Sequence, residues 1–289
     1  MVDIERSGEF LIGGELRVRR FGYGAMRLTG PGVWGPPEDP ASAASVLRRA
    51  IELGINLIDT ADVYGPRANE QLIRDVLHPY PAGLVIATKG GMVRSGPATR
   101  ENPGFSMNGT PGHLRAAVDQ SLLDLGLEVI DLYQLHRIDP ATPLEETLGA
   151  LKALRDAGKI RHIGLSQVSV AEIEQARAVV EIASVQNVYN VKTRMYDGVL
   201  DYCTANDIAF IPFWPVHAGD LATNEATAEI AKRYDASATQ IALAWLLQRS
   251  PVILPIAGTS SVAHLEENVA ACAISLDAAD VATLDGLGA

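Results

Sequence analysis

Short apolar runs alternate along the chain with longer segments in which apolar residues recur at helical spacing. The short runs predict strands, and the longer amphipathic segments predict helices. The predicted strands are residues 21–26, 55–59, 84–88, 130–135, 162–166, 184–187, 209–213 and 252–255. The predicted helices are residues 41–53, 69–77, 111–125, 143–157, 170–180, 199–206, 227–234, 239–248 and 262–272. The pattern therefore contains eight strand–helix units.

Residues at the helix ends support this division of the chain. Asn69 is placed to cap the second helix, and Thr110 followed by Pro111 is a typical start for the third. Gly158 ends the fourth helix. The regular alternation predicts βαβ units in a parallel sheet.

Eight such units in one chain of this length predict a closed (β/α)8 TIM barrel that forms a single domain over residues 1–289. The alternative is an open doubly wound sheet, which usually has a glycine-rich turn after its first strand. Gly22 and Gly24 are followed by Arg27 where that fingerprint needs a third glycine. Before the first strand, residues 10–12 and 16–18 flank two glycines and predict an N-terminal β-hairpin that covers one end of the barrel.

Composition narrows the class of protein. The 289 residues are 47% hydrophobic and carry a net charge of −11, which is typical of a globular chain and argues against DNA or an anionic membrane as a partner. Two cysteines cannot build a disulfide framework. The charged N-terminus differs from a signal peptide, so we expect a cytoplasmic protein. Residues 94–112 form the longest predicted polar loop.

Polar side chains stand where three of the predicted strands end. Asp59 ends the second strand and Tyr64 follows it, Lys89 ends the third and His136 the fourth. Each of them alone has an ordinary structural explanation, such as a turn or a solvated charge. Catalytic groups of a barrel collect at the carboxyl ends of its strands, so their joint position there predicts an active site.

Electrostatics suggests a role for the tyrosine. A lysine ammonium about 4 Å from a phenolate stabilises it by about 4 kcal/mol at an effective dielectric constant near 20. That energy corresponds to roughly three pK units, which predicts a Tyr64 pKa lowered toward neutrality. Asp59 would keep Lys89 charged while opposing part of this effect. His136 would orient a substrate oxygen by a hydrogen bond.

These residues lie in segments that resemble the aldo-keto reductase superfamily. The segments are FGYGAM at residues 21–26, GINLIDTADVYG at 54–65, ATKGG at 87–91, DLYQLH at 131–136, GKIRHIGLS at 158–166 and PIAGTSS at 255–261. They occur in the family's order and cover nearly the whole chain. The resemblance implies a barrel enzyme that reduces a small-molecule aldehyde or ketone with NAD(P)H and uses no metal.

The resemblance also assigns roles to individual residues. Its catalytic tetrad falls on Asp59, Tyr64, Lys89 and His136, with Tyr64 as the general acid. The positions that hold the nicotinamide carboxamide are Ser166, Gln167 and Gln186, and Gln167 stands where the family usually has asparagine. The aromatic residue that stacks on the nicotinamide is Phe213, with the adjacent Trp214 as the alternative.

The segment for the cofactor tail departs from the family pattern. Members that favour NADPH present a basic residue just before Thr259 and an arginine five residues after it. Gly258 and His264 occupy these places. Thr259, Ser260 and Ser261 at the start of the last predicted helix are still expected to bind a phosphate, and Glu267 and Asn268 match adenine contacts. NADPH is the expected cofactor, with NADH as the alternative.

Three matters stay open at the level of sequence. Trp34 and Trp214 are expected to wall the substrate pocket. Two other functions compete with carbonyl reduction: a cofactor-sensing binding module on the same fold, and a lyase in which Lys89 forms a Schiff base. The expected assembly is a monomer or a weak homo-oligomer.

Overall fold

The N-terminal part of the chain folds as a hairpin. The computed structural model describes residues 4–216 and 224–288. Strands β1 (Glu9–Ile12) and β2 (Leu16–Arg19) pair antiparallel. The turn between them uses Gly13 and Gly14, both at positive φ, a conformation that favours glycine.

The following strands are parallel and form a closed barrel. Seven strands pair in one sheet, and its members in chain order are β3 (Tyr23–Gly24), β4 (Leu57–Asp59), β5 (Val85–Gly90), β8 (Ile130–Leu135), β9 (Ile160–Ser166), β10 (Ser184–Gln186) and β11 (Ala209–Phe210). Residues 252–256 lie between the two edge strands and occupy the eighth strand position of the barrel. Ile253 bridges Phe210 and Ile256 bridges Gly22, both parallel, so the sheet closes on itself. The predicted (β/α)8 barrel is confirmed.

Helices follow the strands around the outside. They are α1 (Pro40–Glu52), α2 (Ala68–Leu77), α3 (Pro111–Leu125), α4 (Leu144–Asp156), α5 (Val170–Arg177), α6 (Asp197–Ala205), α7 (Glu225–Arg233), α8 (Ala238–Arg249), α9 (Val262–Ala270) and α10 (Ala278–Asp285). Thr110 caps α3 by accepting a hydrogen bond from the His113 N–H, as the sequence predicts. No helix in the described part of the chain combines the length and apolar character needed to cross a bilayer.

The hairpin covers the end of the barrel at which the strands begin. Ile12, Leu16 and Val18 are buried in one cluster with residues of the barrel interior such as Leu132. Asn56, just before β4, accepts a hydrogen bond from the Arg19 N–H at 2.8 Å. The predicted cover is confirmed, and the opposite end remains available for a site.

Three local expectations need correction. Asn69 does not cap α2, because its buried side chain accepts a hydrogen bond from the Thr60 hydroxyl and donates to the Ala25 and Leu28 carbonyls. The predicted polar loop contains a second hairpin, β6 (Met92–Arg94) with β7 (Phe105–Met107). The predicted closing helix ends at Ala270 and is followed by α10, which the sequence did not indicate.

We expect Leu132→Ala to lower the free energy of unfolding by about 2–5 kcal/mol, because it opens a cavity inside the barrel. Leu132 is fully buried. Leu123→Ala is the matched control, since Leu123 on α3 is 69% exposed and its loss should change stability by less than about 0.5 kcal/mol. Denaturant unfolding of both variants measures the difference, and equal effects would contradict the assigned barrel interior.

Candidate active site

A large cavity opens at the end of the barrel where the strands finish. Its volume is about 920 Å³, in the range of small-molecule and cofactor pockets, roughly 300–1,000 Å³. Of the residues predicted to form the site, the structure places the following in its wall: Asp59, Tyr64, His136, Ser166, Gln167, Gln186, Phe213, Trp214, Gly258, Thr259, Ser260 and His264. The cavity therefore runs from the ends of the strands to the start of α9.

A buried ion pair lies at the base of this cavity. Lys89 Nζ is 2.5 Å from Asp59 Oδ1 and also donates to the Thr60 carbonyl at 2.8 Å. Lys89 is fully buried and Asp59 is 3% exposed. Burial alone lowers the pKa of Lys89, but Asp59 and the neighbouring Tyr64 outweigh burial, so this pKa lies above its ordinary value. The amine is held as an ammonium ion.

Two glutamines hold the other oxygen of the aspartate. Gln134 and Gln186 donate to Asp59 Oδ2 at 3.1 and 2.8 Å, and the Gln186 amide also approaches Gln134 Oε1 at 3.4 Å. Sequence reasoning missed Gln134, although it lies two residues before His136 on the same face of β8. The carboxylate is thus fixed from three strands: β5, β8 and β10.

Tyr64 lies beside this pair. Its hydroxyl is 3.5 Å from Lys89 Nζ, and the ammonium nitrogen is 5.1 Å from the ring centroid. Burial raises the pKa of Tyr64 above its ordinary value, and Lys89 only partly offsets that effect while Asp59 adds to it. The expected lowering toward neutrality is wrong, because removal of water from the phenol outweighs the long contact with the ammonium. The phenol stays protonated at neutral pH.

His136 completes the group at the end of β8. Its ring meets the Tyr64 ring edge-on, with the centroids 5.9 Å apart. Burial, with the nearby charges of Lys89 and Arg137, holds the pKa of His136 well below its usual value. The imidazole is neutral near pH 7, so one ring nitrogen carries a hydrogen and can donate to a substrate oxygen.

The positions expected to hold a nicotinamide ring lie together on one side. The Gln167 backbone is left-handed at φ 57°, and its side-chain oxygen accepts from the Val188 N–H at 3.0 Å. Ser166 Oγ accepts a hydrogen bond from Arg137 at 3.0 Å. Phe213 and Trp214 are adjacent in the wall with ring centroids 5.7 Å apart, and Trp214 is the more exposed of the two.

The segment expected to hold the cofactor tail lies at the other end of the cavity. Ser261 caps α9 by accepting from the His264 N–H at 3.4 Å. Ser261, Glu267 and Asn268 lie outside the cavity wall, and the Glu267 carbonyl accepts a hydrogen bond from Gln240. A β-carbon at Gly258 would lie 2.6 Å from the Gly24 carbonyl oxygen, so the close approach of these segments excludes a side chain there.

Three arginines in the described wall of the cavity, Arg27, Arg94 and Arg137, were not among the predicted site residues. Arg27 is exposed, lines the wall beside Gly258, and forms no hydrogen bond or ion pair with another described residue. Arg137 directly follows His136 and lies with its guanidinium over the Phe213 ring. In the sequence, only their position just after a predicted strand could have marked Arg27 and Arg137 as site residues. Trp34 lies outside the wall and is 40% exposed.

The arrangement is suited to proton donation into the cavity. A protonated phenol and a neutral imidazole stand at its base, and a permanent positive charge lies behind the phenol. The phenolate that remains after Tyr64 has given its proton is stabilised by the Lys89 ammonium, because opposite charges attract strongly away from water. Transfer of a proton to an oxygen that gains negative charge is the chemistry that this geometry favours.

We expect Asp59→Asn and Lys89→Met each to lower the free energy of unfolding by about 3–5 kcal/mol, since each leaves a buried charge without its partner. The double variant removes both charges and should be less destabilised than the sum of the single variants. Denaturant unfolding of the four proteins measures this coupling. Additive effects would contradict a buried, mutually compensating pair.

Comparison with known proteins identifies the family. The family model described as the aldo/keto reductase family matches residues 20–289. An uncharacterised oxidoreductase of Schizosaccharomyces pombe is 46% identical over 288 residues, which cover 99% of this chain and 92% of that protein. The pyridoxine 4-dehydrogenase of Escherichia coli is 43% identical over 280 residues, covering 95% of this chain and 96% of that protein.

Solved structures agree in fold. A thermostable aldo-keto reductase in complex with the inhibitor epalrestat superposes with a TM-score of 0.84 at 29% identity, covering 97% of this chain and 99% of that one. The holo form of an aldo-keto reductase from Bacillus halodurans gives a TM-score of 0.81 at 26% identity, covering 97% and 96%. This chain belongs to the aldo/keto reductase family, whose reaction is the NAD(P)H-dependent reduction of a carbonyl group to an alcohol.

Proposed function

We propose that this protein is an NADPH-dependent reductase of small aldehydes or ketones in which Tyr64 donates the proton. The observation that carries the proposal is the protonated Tyr64 phenol beside the buried Lys89–Asp59 pair at the base of a large cavity. Tyr64 also serves the reverse reaction: its phenolate accepts the proton of the alcohol, because the forward and reverse reactions share one transition state.

The residues of the cavity fit a nicotinamide dinucleotide. Ser166, Gln167 and Gln186 offer amide and hydroxyl groups for a carboxamide, and Phe213 offers a flat apolar face. Arg27, Thr259, Ser260 and His264 offer a cation, hydroxyls and an imidazole at the other end, which suits phosphate. When bound, the reduced nicotinamide supplies the hydride that the protein itself lacks.

The chain's own residues supply the proton and the orientation. Neutral His136 donates a hydrogen bond to the carbonyl oxygen and so holds it against Tyr64. Tyr64 then gives its phenolic proton to that oxygen as negative charge develops on it. Lys89 stabilises the resulting phenolate across 3.5 Å, and Asp59 keeps the lysine charged throughout.

The pair argues against the Schiff-base alternative. An amine must be neutral to attack a carbonyl carbon. Lys89 is held as an ammonium ion by Asp59, and its nitrogen is also bonded to the Thr60 carbonyl, so it is a poor nucleophile. The cofactor-sensing alternative differs from the reductase only in turnover. Turnover is favoured by Lys89 in hydrogen-bond reach of Asp59 and Tyr64, with the His136 ring edge-on to Tyr64.

Arg27 supports the choice of NADPH over NADH. The usual basic residue before Thr259 is missing, but a side chain at Gly258 would collide with the Gly24 carbonyl. The Arg27 side chain comes within 3.7 Å of the β-carbon position of Gly258 and has no described partner. Arg27 therefore replaces the absent charge and binds the 2′-phosphate that distinguishes the two cofactors.

The cavity wall and one relative suggest the body of the substrate. Val63, Met92, Phe105 and Trp214 give the wall near Tyr64 an apolar and aromatic character. The Escherichia coli relative is named a pyridoxine 4-dehydrogenase. We infer that aromatic aldehydes, including pyridoxal, and the corresponding alcohols belong to the substrate class.

We expect Tyr64→Phe to lower the steady-state turnover of an aromatic aldehyde by about 10²–10⁴-fold, because the variant lacks the proton donor. Binding of NADPH should persist, and its quenching of tryptophan fluorescence provides the control. Turnover within a few-fold of that of the natural protein would show that another group gives the proton.

We expect Arg27→Gln to weaken NADPH binding by about 10–150-fold, the loss of a charged hydrogen bond worth about 1.5–3 kcal/mol. Binding of NADH, which lacks the phosphate, should change far less. Parallel fluorescence titrations with both nucleotides measure the two effects. An equal loss for NADPH and NADH would contradict the role assigned to Arg27 in selecting the phosphate.

A further inference from the structure

Arg137 brings a second cation to the substrate end of the cavity. It is the second residue after β8, and its Nη1 donates to the His136 carbonyl at 2.6 Å and to Ser166 Oγ at 3.0 Å. The guanidinium carbon is 5.8 Å from the Phe213 ring centroid. The guanidinium is therefore oriented by the wall and stands next to the residues that receive the carbonyl oxygen.

This cation has no counter-charge in the described structure. Over residues 4–216 and 224–288, no carboxylate forms an ion pair with Arg137. Asp59, the carboxylate in the described wall of the cavity, is already occupied by Lys89 and two glutamines. Burial lowers the pKa of Arg137, but a guanidinium remains charged at neutral pH.

Arg94, another arginine of this wall, differs from Arg137. Its two Nη groups donate to the carbonyls of Pro103, Gly32 and Val33 and hold two loops together, while its Nε is buried without a described partner. Arg137 makes its described hydrogen bonds through Nη1 alone, and its Nε and Nη2 donors have no described partner. Neither of these donors is shut off from the cavity, so both can bind an oxygen of a molecule that enters it.

We propose that Arg137 determines substrate specificity by binding an anionic oxygen, a carboxylate or a phenolate, that the carbonyl substrate carries close to its reacting group. The inference rests on the proposed reductase function. Because Arg137 directly follows His136, the anionic oxygen and the carbonyl lie close enough to belong to one small molecule. A planar aromatic body fits against the exposed Trp214 ring, since the Phe213 face is assigned to the nicotinamide.

A substrate of this kind also suits the electrostatics of the whole chain. The protein carries a net charge of −11, which repels anions at long range. The charge of Lys89 is compensated by Asp59, so the guanidinium of Arg137 beside a neutral imidazole makes the inner cavity a local exception. The anion is therefore stabilised only once it is bound in the cavity. This favours discrimination between substrates rather than a high association rate.

The test compares matched aldehydes on matched variants. Steady-state kcat and KM are measured with NADPH for benzaldehyde and for ortho-, meta- and para-carboxybenzaldehyde. The proteins are the natural chain, Arg137→Met, Arg137→Lys and the control Arg94→Met. The readout is the ratio of kcat/KM for each carboxylated aldehyde to that for benzaldehyde, since a general loss of activity cancels in this ratio.

We expect the natural protein to prefer at least one carboxylated isomer, and Arg137→Met to lower that ratio by about 10–100-fold, mainly through KM. Arg137→Lys should retain part of the preference because it keeps the charge without the planar fork. Arg94→Met should leave the ratio unchanged. Benzoate should inhibit the natural protein competitively against the aldehyde, which tests the site without any variant.

Other outcomes overturn the inference in distinguishable ways. A natural protein that shows no preference and no inhibition by benzoate has no anion site at Arg137. If Arg137→Met lowers kcat/KM equally for all aldehydes, Arg137 acts through Ser166 or through the fold, and the proposed reductase function stands. Absence of NADPH oxidation with every aldehyde overturns the proposed function and this inference together.

Discussion

The buried ion pair between Lys89 and Asp59 is the constraint on which the site depends. A lysine without exposure to solvent stays charged only beside a fixed opposite charge, and Asp59 lies 2.5 Å away. The pair in turn requires Gln134 on β8 and Gln186 on β10 to satisfy the second oxygen of the carboxylate. A closed barrel supplies this, because consecutive strands bring their carboxyl ends to one rim. Fold and chemistry are therefore coupled through a single carboxylate.

Burial, rather than the pair, decides which form of Tyr64 is present before reaction. Removal of water raises the pKa of the phenol, and the ammonium 3.5 Å away only partly counters this. The result is a proton donor at rest that is stabilised as phenolate once it has given the proton. His136 is neutral for a similar reason, since burial and two nearby cations oppose its protonation. The site thus places donors around an oxygen and leaves positive charge behind them.

Sequence predicted the parts of this structure that follow from chain periodicity. The strand ends placed Asp59, Lys89 and His136 on one rim, and the barrel and its hairpin cover followed from the alternation of elements. The sequence did not predict contacts between residues that are far apart along the chain. Asn69 looks like a helix cap, yet its side chain binds a loop more than 40 residues away along the chain. The phosphate-binding role proposed for Arg27 likewise depends on the close approach of Gly24 and Gly258. The pKa of Tyr64 was misjudged because burial cannot be read from spacing.

The pH dependence of kcat for reduction, with both substrates saturating and the fold monitored by circular dichroism, tests the central claim most directly. Reduction needs protonated Tyr64, and its pKa lies above the ordinary value of about 10. Neutral His136 adds no titration near neutrality because its pKa is lowered. The account predicts a rate that stays flat through neutral and mildly alkaline pH and falls only above about pH 10. A rate that falls through neutral pH while the protein remains folded would show that the proton comes from a group other than this tyrosine.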